Sequence, residues 1–200
     1  MNKKAEMGIG TLIIFIAMIL VAAIAASVLI QTATSLQNKA LLTGKRTQGQ
    51  ISTATTVLLV YGENGTTGDP KSLDRFFVKL KLAPGSDAIR LNDTLLECDV
   101  KDASADLTYN QSDGDCSQGD YMTDTDGHGN YSARYLLRGN EWRNGYIHRG
   151  DVVELCFEAP SSVLSDEDIS IRFIPKVGMP TVLETAVPEI IGQERIYIFP

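Results

Sequence analysis

Ile9 to Ile30 reads IGTLIIFIAMILVAAIAASVLI, 22 residues without a charge or a proline. As a helix rising 1.5 Å per residue it spans about 33 Å, enough to cross a bilayer's hydrocarbon core. It is apolar all round and has no face for water, so lipid or other copies of the same helix must surround it. Ala17, Ala22, Ala23, Ala25, Ala26 and Ser27 would let neighbouring helices approach closely. Ile13, Ile14, Phe15, Ile16, Met18, Ile19 and Leu20 supply the contact area.

The residues before this stretch are few, with Lys3 and Lys4 close together. An ordinary secretory signal has a shorter apolar core, ended by a small-residue cleavage site. Here the run is too long and no such break ends it. The residues alone describe an uncleaved membrane anchor with Lys3 and Lys4 on the cytoplasmic side. Beyond Ile30 the pattern turns amphipathic. Leu29, Ala33, Leu36 and Ala40, then Ile51, Ala54, Val57 or Leu58, and Tyr61, recur at helical spacing. The spacing predicts a helix reaching Tyr61, with a kink or break near Gly44 and a stop at Gly62.

Residues 1–62 carry five basic side chains and one acidic (net +4), leaving 13 basic and 24 acidic residues (net −11) for the remainder. A weakly basic rod therefore carries an acidic head. The acidic surface argues against nucleic-acid binding, which wants a basic stripe. It also keeps a crowded protein array soluble.

The head reads as β. Phe76, Val78, Leu80 and Leu82 alternate with Lys79 and Lys81; Val153, Leu155 and Phe157 alternate with Glu154 and Cys156; Ile169, Ile171 and Phe173 alternate with Ser170 and Arg172. Ile196 and Ile198 repeat the pattern near the end, and glycine-rich turns punctuate the runs. Short strands between turns suggest an antiparallel sandwich. The segment from Asp99 to Gly145 is polar and glycine-rich and reads as a solvated surface loop. Within it, Asp124-Thr125-Asp126-Gly127 matches the opening of a calcium loop, although Tyr135 stands where the closing Glu belongs. Asp124 and Asp126 are the candidate ligands for a calcium ion; apart from it no cofactor is expected.

Four N-x-[ST] sequons, at Asn64, Asn92, Asn110 and Asn130, all fall in the head and none in the helix. The cysteines are Cys98, Cys116 and Cys156. In an extracellular head the expected disulfide is Cys98–Cys116, with Cys156 left as a small hydrophobe in an apolar strand. Hydrolase, P-loop and zinc-protease motifs are missing, and neither His128 nor His148 has an evident nucleophile partner, so the chain does not read as an enzyme.

Met7 to Met18 (MGIGTLIIFIAM), Val21 to Ala26 (VAAIAA) and Val28 to Ile30 closely resemble, almost residue by residue, the start of archaeal flagellins (archaellins). Lys81 to Ser86, Gly150 to Val153 and the closing Ile196 to Pro200 resemble that family's outer domain more loosely. The resemblance implies an α+β chain: a class III, prepilin-like signal peptide (1–5), a filament-core helix (6–62) and an immunoglobulin-like β-sandwich (63–200). A prepilin-like signal peptidase would cut between Ala5 and Glu6, with the bond after Gly8 as the alternative; Ala5 departs from the family's usual Gly. Ile9, Leu12, Phe15, Ile16, Ile19, Leu20, Ala22, Ala25 and Leu29 would then line the core of a helical polymer of this chain and related flagellins. The precursor would sit in the membrane before assembly. The implied function is a structural subunit of the extracellular filament used for swimming. The alternatives are a pilin-like adhesion filament and a membrane-anchored domain that never polymerises.

Overall fold

The computed structural model describes residues 3–63, 71–101, 103–110, 116 and 128–200. The chain divides into two compact units, Met1–Thr47 and Gln48–Pro200. One helix, α1, runs from Lys3 to Ser52. The strands that follow are β1 (Thr55–Glu63), β2 (Leu73–Leu82), β3 (Ile89–Arg90), β4 (Thr94–Val100), β5 (Ala103–Tyr109), β6 (His128–Leu137), β7 (Tyr146–Ile147), β8 (Val152–Val163), β9 (Asp168–Pro175), β10 (Thr181–Ala186) and β11 (Arg195–Phe199).

The break expected near Gly44 is absent, and α1 is helical through both Gly44 and Gly49. A lone glycine costs only about 1 kcal/mol against alanine, too little to interrupt a long run of good helix formers. The helix also ends earlier than expected. Thr53, Thr55 and Thr56 crowd β-branched side chains where the helical spacing is weakest, and such residues favour a strand when a pairing partner is available. Residues 55–63 therefore form β1 and pair antiparallel with β2. The boundary expected between 62 and 63 moves back, because the sandwich begins at Thr55.

The helix-to-strand junction is held by hydrogen bonds within the second unit. The Ser86 hydroxyl accepts from the Ala54 amide (3.0 Å) and donates toward the carbonyls of Ala54 (3.0 Å) and Ser52 (3.2 Å). The Thr53 carbonyl accepts from the Met179 amide at 2.8 Å. Gly178, at φ +128°, lies so close that a Cβ there would sit 2.7 Å from the Thr53 oxygen. Only glycine combines that backbone angle with that approach.

The order β10-β9-β4-β5-β6-β8-β2-β1-β11 is antiparallel throughout except for the parallel pair β5–β6. That parallel pair joins two halves that face each other. Leu73, Phe76, Val78, Leu80, Leu155 and Phe157 from one half share a single core with Leu96, Cys98, Leu107, Ile171 and Phe173 from the other. A hydrogen bond of 2.5 Å between the hydroxyls of Thr55 and Thr181 links β1 of one half to the edge strand β10 of the other. The named apolar positions of β2, β8 and β9 are all buried, as expected, but only β9 alternates cleanly; β8 is buried on both faces from Val153 to Phe157. The reading of Asp99 to Gly145 as a loop is corrected: it contains the whole of β5 and β6, and His128 opens β6 rather than lying in a loop. The polar residues of β5 face outward, and Ala105 and Leu107 are its two residues buried in the core, with Tyr109 packed at the core's edge. Two inward residues were too weak a period to read.

Candidate functional site

The apolar helix is where the molecule departs most from an ordinary globular surface. Every residue from Met7 to Gln48 is exposed. Ile9 is 61% exposed, Leu12 58%, Phe15 62%, Ile16 49%, Ile19 51%, Leu20 59% and Leu29 68%. Ala22 and Ala25 lie on the same exposed helix. Three of its hydroxyls are already turned onto the helix backbone: Thr11 donates to the Gly8 carbonyl (3.0 Å), Thr32 to Leu29 (2.9 Å) and Thr34 to Ile30 (2.9 Å). Soluble monomers rarely expose a contiguous apolar patch of more than a few hundred Å², so this surface marks an interface with lipid or protein. Ala5 and Glu6 fall in the first turns of α1.

In the head, the cysteine expectation is corrected. Cys116 pairs with Cys156, and Cys98 is free and buried in the core. The reason is strand phase. Cys98 points inward with Leu96 and Val100, whereas Cys156 lies on the outer face of β8, between the inward Leu155 and Phe157. A segment crossing the outside of the sheet can reach Cys156 but not Cys98. Burial pushes the Cys98 thiol up to about 12, with the neighbouring Asp99 carboxylate adding to the rise.

The same outer face holds a polar cluster that strand alternation does not reveal. Glu154 reads as a solvated residue opposite Leu155, yet it is fully buried. One of its carboxylate oxygens accepts from the Tyr61 hydroxyl (2.8 Å), and the other accepts from Arg134 Nε (3.0 Å), while Lys79 Nζ lies 3.6 Å away. Tyr61 stacks on Phe77 at 4.8 Å between centroids, with the Arg195 guanidinium 4.6 Å over its ring. Burial and then the hydrogen bond to Glu154 raise the Tyr61 phenol well above its ordinary range. With the carboxylate paired to Arg134 and Lys79 and the phenol hydrogen-bonded to it, the cluster is a structural cap on the sheet.

The metal-ligand candidates Asp124 and Asp126 lie outside the described residues, as does Asn64. The ligand atoms of Cys116, Glu154 and Cys156 lie within 4.8 Å of one another. Both sulfurs are committed to the disulfide, however, so this group does not fit a metal. Asn92 and Asn130 are exposed and Asn110 is half-buried. The hydroxyls of the first two sequons are turned inward. Thr94 donates to the Leu91 carbonyl (2.7 Å) and contacts the buried Tyr131 hydroxyl, and Ser132 is fully buried.

Comparison with known proteins agrees with this architecture. The model of the archaeal-type flagellin family matches residues 5–185. Flagellin B2 of Methanocaldococcus jannaschii is 33% identical over 205 residues, covering 94% of this chain and 90% of that protein. Flagellin B1 of Methanococcus voltae is 33% identical over 201 residues, covering 94% and 91%. Among solved structures, the archaeal flagellum of Methanospirillum hungatei matches 96% of this chain and 99% of its own, with a TM-score of 0.70 at 15% identity. The crystal structure of an archaeal flagellin from Methanocaldococcus jannaschii covers 74% of this chain and 97% of its own, with a TM-score of 0.61 at 19% identity. With a family match across nearly its whole length, and full-length relatives at one-third identity, the chain belongs to the archaeal-type flagellins.

Proposed function

We propose that the chain is a structural subunit of the archaeal flagellum filament, self-assembling through α1 and presenting its acidic sandwich outward. The observation that carries this is the unbroken exposure of α1 from Met7 to Gln48. Lipid alone does not account for it. A helix of 50 residues is about 75 Å long, more than twice the hydrocarbon thickness. Leu36, Leu41 and Leu42, beyond the part a bilayer could cover, are still 58–67% exposed. Copies of the same helix cover both stretches at once, because they present the same pattern at the same height. A contact that repeats without closing builds a filament rather than a ring. The Methanospirillum hungatei chain with the same fold comes from an archaeal flagellum. The role is structural rather than catalytic, in keeping with the flagellin relatives.

Before assembly, the Ile9–Ile30 stretch holds the precursor in the membrane. A prepilin-like peptidase then removes residues 1–5 and frees the helix to join the bundle. Filaments purified from cells making this chain should yield a subunit whose mass begins at Glu6, or at Ile9 if the bond after Gly8 is cut. Subunits retaining Met1 would overturn the processing step, and cells with no filament under the electron microscope would overturn the polymer. Sugars on some of Asn64, Asn92, Asn110 and Asn130 would coat the outer surface. The buried hydroxyls of Thr94 and Ser132 require attachment at Asn92 and Asn130 to precede folding. Glycopeptide masses test this, and four bare asparagines would remove the sugar coat.

A further inference from the structure

We propose that neighbouring heads in the polymer dock end to end, a basic aromatic knob on one copy seating on the acidic far end of the next. The inference rests on the filament reading above and adds a second contact to it.

The strand registers define the two ends of the sandwich. Thr55 pairs with Leu82, Thr94 with Pro175, and Leu137 with Val152, so the 138–151 segment closes the end at which the chain enters β1. Val100 pairs with Ile169, Ala186 with Asp168, and Glu63 with Arg195, which places the 164–167 and 187–194 segments at the opposite end.

The two ends differ in charge. Arg90, Arg138, Arg143 and Arg149 lie at the entry end and are all exposed. Asp151, the acid that closes this segment, is buried and taken up by the amides of Gly139 (2.6 Å) and His148 (2.8 Å). The far end carries Asp166, Asp168, Glu184, Glu189 and Glu194, also exposed. Four of the head's five exposed arginines therefore lie at the entry end, and the fifth, Arg195, is held by Glu63 at the other.

Shape and composition agree with the charge. At the entry end the Arg138 guanidinium lies 4.3 Å over the Trp142 ring, and Tyr135 meets Trp142 edge-on at 5.8 Å. Trp142 is 37% exposed, and the adjoining Leu136 and Leu137 are 44% and 58% exposed. Trp, Tyr and Arg together are the residues that carry binding energy at protein interfaces, and here they remain open to solvent. The far end offers a groove of about 480 Å³ lined by Asp99, Lys101, Asp168 and Glu184 among others. Arg172 engages Asp99, and Lys101 lies 3.6 Å from Glu167, whereas Asp168 and Glu184 form no ion pair among the described residues. Those two carboxylates are left to receive Arg138 and Arg143. The complement of the knob thus lies on the same chain at its other end, so the partner is a second copy, and the contact is heterologous and non-closing as a filament requires.

The test uses full-length subunits expressed in a strain lacking its own flagellins. Filaments bearing Arg143→Glu, or Asp168→Arg, should release subunits on heating about tenfold faster than the parent. Arg138→Glu should act in the same direction. Combining Arg143→Glu with Asp168→Arg should restore much of the loss, because opposite charges again face each other. Unchanged release from all single variants, or a combined variant no better than either single one, would overturn the contact while leaving the polymer reading intact. A parent chain that forms no filament would overturn both.

Discussion

The two units of this chain solve the same problem in opposite ways. The head buries its large apolar side chains against each other, and Leu73, Phe76, Leu96, Leu155 and Phe157 are all fully buried. The helix leaves Ile13, Phe15 and Leu20 about 60% exposed. Hydrophobic burial stabilises both, but in the head it is complete within one molecule, and in the helix it is available only between molecules. The head should therefore be stable whatever its concentration, while order in the helix bundle depends on assembly.

The sharpest way to break this comparison is a charge in the helix. Ala22→Asp should abolish filaments while leaving the head folded, because an unpaired carboxylate buried in the bundle costs several kcal/mol in every subunit. Electron microscopy reads the filaments, and circular dichroism of the detergent-solubilised full chain reads the head. Normal filaments from this variant would mean that Ile9 to Ile30 is not the polymer core.

In the head, Cys156→Ser removes the cross-link to Cys116, 40 residues away in sequence. Loop-closure entropy sets the expected loss at up to about 4 kcal/mol, measured as a lower denaturation midpoint. Cys98→Ala should leave the cross-link intact, as a mass difference of two hydrogens on reduction would show. Glu154→Gln keeps the shape of the outer cluster but removes its charge beside Arg134 and Lys79. A loss of about 2 kcal/mol is expected, and a neutral result would mean that the cluster does not hold the sheet face.

Alkaline titration sharpens the contrast further. Burial pushes Cys98 and Tyr135 each up to about 12 and raises Tyr131 still higher. Above pH 9 to 10 the unfolded chain releases these protons while the folded head keeps them, so stability falls as pH rises. It is fully present below about pH 9 and is lost progressively toward pH 12. A head melting temperature that stays flat from pH 9 to 11.5 would contradict the burial of these groups. The smallest effect belongs to Gln37→Glu, on the polar-spaced part of α1. Filaments should still form there, with a thermal midpoint lowered only slightly.

Much of this was legible in the chain because it depends on local pattern. The apolar run from Ile9 to Ile30 has no soluble solution by itself, whatever follows it, and period-2 alternation assigned the inner faces of β2, β8 and β9. Three other features needed the tertiary structure. Residues 55–63 have a helical spacing, yet they became β1 because β2 lies beside them and β-branched threonines fit a ladder. Cys116 joined Cys156 rather than Cys98 because sheet phase, not sequence distance, decides which thiol faces outward. Glu154 alternates like a surface residue, and only the Tyr61 hydroxyl and the Arg134 side chain, brought from two other strands, make its burial tolerable. Periodicity reports which face a side chain takes; what covers that face depends on segments far away in the chain, which only the folded sandwich brings together.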